Sequence, residues 1–181
     1  PLIDYGPAFD TGEYYPARLV NDHKFEGGPS NSGGSYYGNV SVREALNRSL
    51  NTVAWQILTD IGVDYGLNYL REMEFQKLTY IDNGVPSLSI GGFTNGVRVV
   101  DMANGGIYND QTCIRRIDHE HNGELTKNLK PHTQLVYQQD SAYMLTDVLK
   151  GTLNEPYGTG YGLALESGMP AAGKTGTTNS S

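Results

Sequence analysis

The sequence predicts an α+β domain, with helices packed on an antiparallel sheet, and three observations carry that prediction. Between Ser41 and Gly62 apolar residues recur at three- and four-residue spacing, the period of an amphipathic helix. Around Asn122-Gly123 two extended runs read as a hairpin, because Asn-Gly supplies the positive φ angles of a tight type I′ turn. From Pro170 to Thr178 small residues and threonines form a strand-like run. Only part of a sheet is expected from so few strands.

Taken in order, residues 1–38 are rich in Gly, Pro, Asn and Tyr and hold no sustained period; Gly27 to Ser35 reads as a flexible surface loop. Ser41 with Glu44 three residues on forms a capping box, so a helix starts there. Its apolar face runs through Leu46, Leu50, Val53, Ala54, Ile57, Leu58 and Ile61, and Gly62 ends it. Asn47, Ser49, Asn51 and Thr52 favour caps over helix interiors, which predicts two helices meeting near Ser49 to Thr52.

Asp64 is expected to cap a shorter helix through Leu67, Leu70 and Met73, and another short helix is expected from Val97 to Ala103. The hairpin spans Thr112 to Asp118 and Glu124 onward. Asp140 or Ser141 starts a final helix carrying Ala142, Met144, Leu145, Val148 and Leu149, which Gly151 is expected to stop. A Gly- and Tyr-rich loop, Gly158 to Gly162, leads to the last strand.

With 181 residues, 38% hydrophobic and 18% charged, the chain can bury a core and reads as one globular domain or most of one. A net charge of -7 without any basic run excludes phosphate-driven nucleic-acid binding and a basic membrane patch. No run of about 20 apolar residues could span a bilayer. Cys113, alone, forms no internal disulfide and reads as a small buried hydrophobe rather than a nucleophile. His119-Glu120-His121 lacks a third ligand beside its turn, so no metal is expected, and no cofactor is called for. The thirteen Tyr are scattered and read as packing residues.

The sharpest chemical signal is Lys174-Thr175-Gly176-Thr177. In a strand, the Lys offers a cation, the Thr hydroxyls offer donors to a carboxylate, and the Gly lets a substrate backbone come close. Such a strand could bind a peptide by β-augmentation; the plainer reading is a polar edge strand whose Lys discourages aggregation. A given tetrapeptide occurs by chance in a chain of this length about once in a thousand, so it asks for context. Ser49-Leu50-Asn51 is weak alone, since Ser-x-Asn arises about once by chance here and also fits a helix break.

The two motifs resemble the second and third of the penicillin-binding set, Ser-x-x-Lys, Ser-Asp-Asn or a variant, and Lys-Thr-Gly, in that order and roughly 120 residues apart. Tyr37 to Ala54, Ser87 to Gly92 and Ala142 to Gly151 also resemble class A penicillin-binding proteins, in the family's order, so the likeness covers nearly the whole chain. The resemblance implies a penicillin-binding transpeptidase or β-lactamase-like fold, incomplete at both ends, with residues 1–181 a partial transpeptidase domain. No Ser-x-x-Lys is present, and Pro1 to Ala8 resembles what directly follows it, so the chain is expected to start just after that Lys. It is expected to stop just after the Lys-Thr-Gly strand, and to be shorter than the family around Met102 to Asn104.

What the resemblance implies for function is acyl transfer from D-Ala-D-Ala stem peptides of peptidoglycan, with β-lactams as inhibitors. Ser49 would relay a proton to the leaving amine, Asn51 would hydrogen-bond the substrate amide and Lys174 would hold the electrostatic field. Thr175, Gly176 and Thr177 would bind the terminal carboxylate, with the Thr177 N–H forming half of an oxyanion hole. The nucleophile lies outside the chain, so the polypeptide alone is expected to be inactive. The parent is expected to work outside the cytoplasmic membrane, held there by segments not in this sequence, and to carry a glycosyltransferase domain. Two alternatives stay open: a non-catalytic module of the same fold, and a β-lactamase or penicillin sensor.

Overall fold

A computed structural model describes residues 2–75, 78, 86–92, 106–109, 117–118, 125–127 and 132–176. The opening segment, read as loop, contains two elements. Helix α1 (Tyr5–Asp10) starts where the Asp4 carboxylate accepts the Tyr5 N–H, and strand β1 (Leu19–Asp22) pairs antiparallel with β2 (Gly38–Ser41), Leu19 opposite Ser41. Both are too short to leave a periodic trace. Five of the six α1 residues are buried, which no surface loop would allow.

Ser41 caps α2 (Val42–Asn47), its hydroxyl accepting the Glu44 N–H at 3.1 Å. The reciprocal half of the box is replaced, because the Glu44 carboxylate turns to Arg48 at 2.7 Å. A break at residues 48–50 separates α2 from α3 (Asn51–Ile61), as the run of cap-preferring residues requires. Gly62, at φ 93°, ends α3 and also precedes α4 (Val63–Glu72). Asp64 therefore does not cap; it sits in the first turn of α4, where a carboxylate still favours the helix dipole.

Gly66 explains how α4 docks. A Cβ there would lie 2.1 Å from the Ile3 carbonyl oxygen and 2.8 Å from Leu58, so only glycine lets the chain's opening lie flat against this helix.

Helix α5 (Gln139–Asn154) passes through Gly151 instead of stopping at it. Gly151 is a contact position: a Cβ would meet the Asn47 side chain at 2.2 Å, so the α2 side chain packs directly on the α5 backbone. Arg43 Nη2 to Asp147 Oδ2, 2.7 Å, ties the same two helices at their partly exposed flank.

Strands β3 (Ile107–Asn109), β4 (Ile117–Asp118), β5 (Leu125–Lys127) and β6 (Thr133–Leu135) form two further antiparallel pairs, β3 with β6 and β4 with β5. The β4–β5 pair is the expected hairpin, with an irregular register at Ile117/Asp118. Its Asn122-Gly123 turn, Cys113, the His119 to His121 run and the helix expected from Val97 to Ala103 lie outside the described residues, as do Met102 to Asn104. The antiparallel β-structure of the described residues is thus three small pairs flanked by helices, an α+β arrangement.

Residues 170–176, expected as a strand, pair with no other strand among the described residues. A strand needs a ladder partner, and here the Gly173 N–H goes instead to the Leu149 carbonyl of α5 at 3.3 Å. Two apolar clusters hold the whole: Tyr5, Phe9, Leu46, Ile57 and Val148 between α1, α2, α3 and α5, and Ile3, Leu58, Leu67, Leu70 and Leu88 around α4. Among the described residues no helix is long and apolar enough to cross a membrane.

Candidate active site

The break between α2 and α3 ends in a hydrogen-bond pattern that usually calls for glycine. The Leu50 N–H bonds the Ala45 carbonyl and the Ser49 N–H the Leu46 carbonyl, both at 3.0 Å, which is the Schellman arrangement with Ser49 at the left-handed position. Ser49 has φ 57°, a conformation that costs a non-glycine residue about 1–2 kcal/mol. The strain marks a position where a side chain is kept against backbone preference.

That side chain meets Lys174. Lys174 Nζ donates to Ser49 Oγ at 2.6 Å and to the carbonyl of Thr175 at 2.9 Å, closing a distance of 125 residues along the chain. Burial disfavours the ammonium and pulls the Lys174 pKa below its ordinary value, while the Asp4 carboxylate pushes the other way. A lysine donating into a serine oxygen leaves the serine proton free for a third group. An amine of lowered pKa also takes up and returns protons more readily, so the pair can act as a relay.

Both residues line a cleft of about 880 Å³, together with Asn51, Thr175 and Gly176. The structure therefore brings five of the six sequence-predicted site residues to one cavity; Thr177 lies outside the described residues. Asn51 opens α3, and its side-chain amide donates to the Ser30 carbonyl at 2.9 Å. The loop read as flexible is thus part of the wall. Its Asn31 is buried and bonds Asp22 at 2.7 Å, and the Thr52 hydroxyl bonds the same carboxylate, so the loop is pinned under α3.

Three further groups in or beside the cleft escaped sequence reading. Asp4 is buried at its floor. Tyr5 lies next to it, its hydroxyl buried and without a hydrogen-bond partner among the described residues; burial, then Asp4 and Asp22, raise its pKa well above the usual value. Arg48 is held between Tyr37 and Tyr157, at 4.4 and 4.9 Å from the ring centroids, while Glu44 fixes its Nε. None belongs to a recognisable triplet, so only proximity in space could reveal them.

Residues 98–181 match the family model of the penicillin binding protein transpeptidase domain. Along 99% of its length the chain is 32% identical, over 192 residues, to penicillin-binding protein 1A/1B of Bacillus subtilis strain 168. Residues 98–181 are those of a penicillin-binding transpeptidase domain, and the chain as a whole is similar to class A penicillin-binding proteins. Solved structures carry the same fold. Penicillin-binding protein 1A of Haemophilus influenzae superposes over 99% of this chain and 33% of its own, with TM-score 0.78 and 19% identity. Penicillin-binding protein 3 of Mycobacterium tuberculosis, solved with aztreonam, superposes over 99% of this chain and 47% of its own, with TM-score 0.75 and 18% identity. The chain spans 20–24% of the length of the first three curated relatives it matches.

Proposed function

We propose that the chain forms the substrate-binding wall of a peptidoglycan D,D-transpeptidase, and that the Ser49–Lys174 hydrogen bond in the shared cleft is the observation that carries this reading. The stem peptide ends in D-Ala-D-Ala. A serine hydroxyl attacks the penultimate carbonyl, the C–N bond breaks, and the departing D-Ala amine takes a proton delivered through Ser49. An acceptor amine then attacks the ester carbonyl, displaces the serine oxygen and completes the cross-link.

Within these residues Lys174 supplies the positive field and Ser49 relays the proton. Asn51 faces the substrate amide, and Thr175, Gly176 and Thr177 take the terminal carboxylate, or that of a β-lactam. The Thr177 N–H forms half of the oxyanion hole. The nucleophile belongs to a Ser-x-x-Lys, which these 181 residues do not contain, so the acyl-enzyme is assigned to another part of the protein. Because a peptidoglycan substrate lies outside the cytoplasmic membrane, this reading assigns the whole protein to the outer face of a bacterial cytoplasmic membrane.

Incubation with a fluorescent penicillin followed by a denaturing gel tests the assignment. The full-length protein is expected to be labelled stably, and Ser49→Ala or Lys174→Met to slow labelling by about 100-fold, the usual worth of a proton-transfer group. The 181-residue polypeptide alone is expected to stay unlabelled. Absence of label on the full-length protein would refute the transpeptidase reading, and rapid release of label would reassign it to a β-lactamase.

A further inference from the structure

Thr175 has a neighbour that the reaction scheme above leaves without a role. The hydroxyls of Thr159 and Thr175 lie 2.6 Å apart, and both residues line the cleft with Lys174. Thr159 comes from the turn after α5, sixteen residues upstream, and nothing about it in the sequence marks it as functional.

The turn is built to hold that hydroxyl in place. The Thr159 N–H bonds the Asn47 carbonyl and the Gly160 N–H the Thr152 carbonyl, both at 3.0 Å, so the turn is tied to the ends of α2 and α5. Glycine flanks Thr159 on both sides because the backbone is pressed on its neighbours. A Cβ at Gly158 would lie 2.4 Å from the Thr152 carbonyl oxygen and 2.6 Å from that of Gly151; one at Gly160 would lie 2.9 Å from Leu153. Tyr157, two residues before Thr159, stacks on Arg48, which immediately precedes Ser49. One short turn therefore touches both halves of the site.

We infer that Thr159 is a positioning residue that sets the direction of the Thr175 hydroxyl and thereby the preference of the cleft for a free carboxylate. This rests on the reading that Thr175 binds the carboxylate. Two hydroxyls at this separation share one proton, so one donates and the other accepts. A carboxylate only accepts, so the Thr175 proton must point into the cleft to reach it. Thr159 then donates to Thr175 Oγ1, fixing the rotor and polarising the O–H that meets the ligand. A neutral ester or amide offers a weaker acceptor and gains less from this arrangement.

The test compares covalent labelling of the full-length protein by benzylpenicillin and by its methyl ester, read as competition with fluorescent penicillin. Thr159→Val, which removes the hydroxyl but keeps the shape, is expected to slow labelling by the acid about five- to tenfold, the worth of one hydrogen bond, and to leave the ester within about twofold. Thr159→Ser is expected to restore the acid rate. An unchanged acid-to-ester ratio in Thr159→Val, or equal loss for acid and ester, overturns the inference. Thr175→Val separates the two layers. If it collapses the ratio while Thr159→Val does not, only the role of Thr159 fails; if neither changes it, the carboxylate reading fails as well.

Discussion

At the residue scale, Ser49 sits where backbone geometry asks for glycine and chemistry asks for a hydroxyl. Substituting it by Ala keeps the left-handed strain and removes the bond to Lys174; substituting it by Gly removes both. The Gly variant is therefore expected to be more stable than the Ala variant by about 0.5–1 kcal/mol, the strain relief less the chain entropy that glycine adds to the unfolded state. Urea titration of the two variants measures the difference, and equal midpoints would mean that the strain at φ 57° is no larger than the entropy glycine adds to the unfolded chain. Ser49-Leu50-Asn51 was legible as a helix break because such residues prefer caps. Its strain was not, since a dihedral angle depends on what the side chain meets, and Lys174 arrives from 125 residues away.

At the element scale, the crossing of α2 and α5 rests on the Gly151 contact and on the Arg43–Asp147 ion pair. The Arg43 guanidinium, more than any other group, holds the Asp147 carboxyl below the ordinary carboxylate range, opposed by desolvation and helped by Lys150. A depressed carboxylate pKa adds stability above the unfolded value of about 3.9 and loses it as pH falls through the folded value. Arg43→Gln should therefore cost about 0.5 kcal/mol near pH 7, as a half-exposed pair does, with the gap to wild type closing below about pH 4. Thermal melts across pH would show the convergence, and a gap that persists in acid would assign the loss to packing instead. The sequence showed both helices through their apolar period. It mistook Gly151 for a stop, because a glycine that ends a helix and one that admits a neighbour look alike until the neighbour is seen.

At the scale of the whole molecule, the surface after α5 carries Tyr161, Leu163, Leu165 and Met169, each at least half exposed. Leu135 of β6 and Ile107 of β3 add apolar residues on a two-stranded sheet with open edges among the described residues. Apolar surface of this kind and unpaired strand edges drive association. The 181-residue polypeptide is expected to self-associate in light scattering, and replacing Leu163, Leu165 and Met169 together by Ser should reduce the apparent mass. A monodisperse monomer for the unaltered chain would count against it.

What the sequence determined by itself is the set of local choices: where α2, α3 and α5 run, where the backbone breaks at Ser49, that a hairpin forms around residues 117–127, and which motifs name the family. Periodicity, capping and a rare tetrapeptide are written in neighbouring residues, so they survive without a fold. Only the tertiary structure decided that Lys174 bonds Ser49, that the glycine-rich loop at residues 27–35 is pinned beneath α3, and that Thr159 stands behind Thr175. Each of those joins residues on different segments of the chain, 125 residues apart in the case of Lys174 and Ser49, and the packing of those segments, rather than any local preference, brings them into contact.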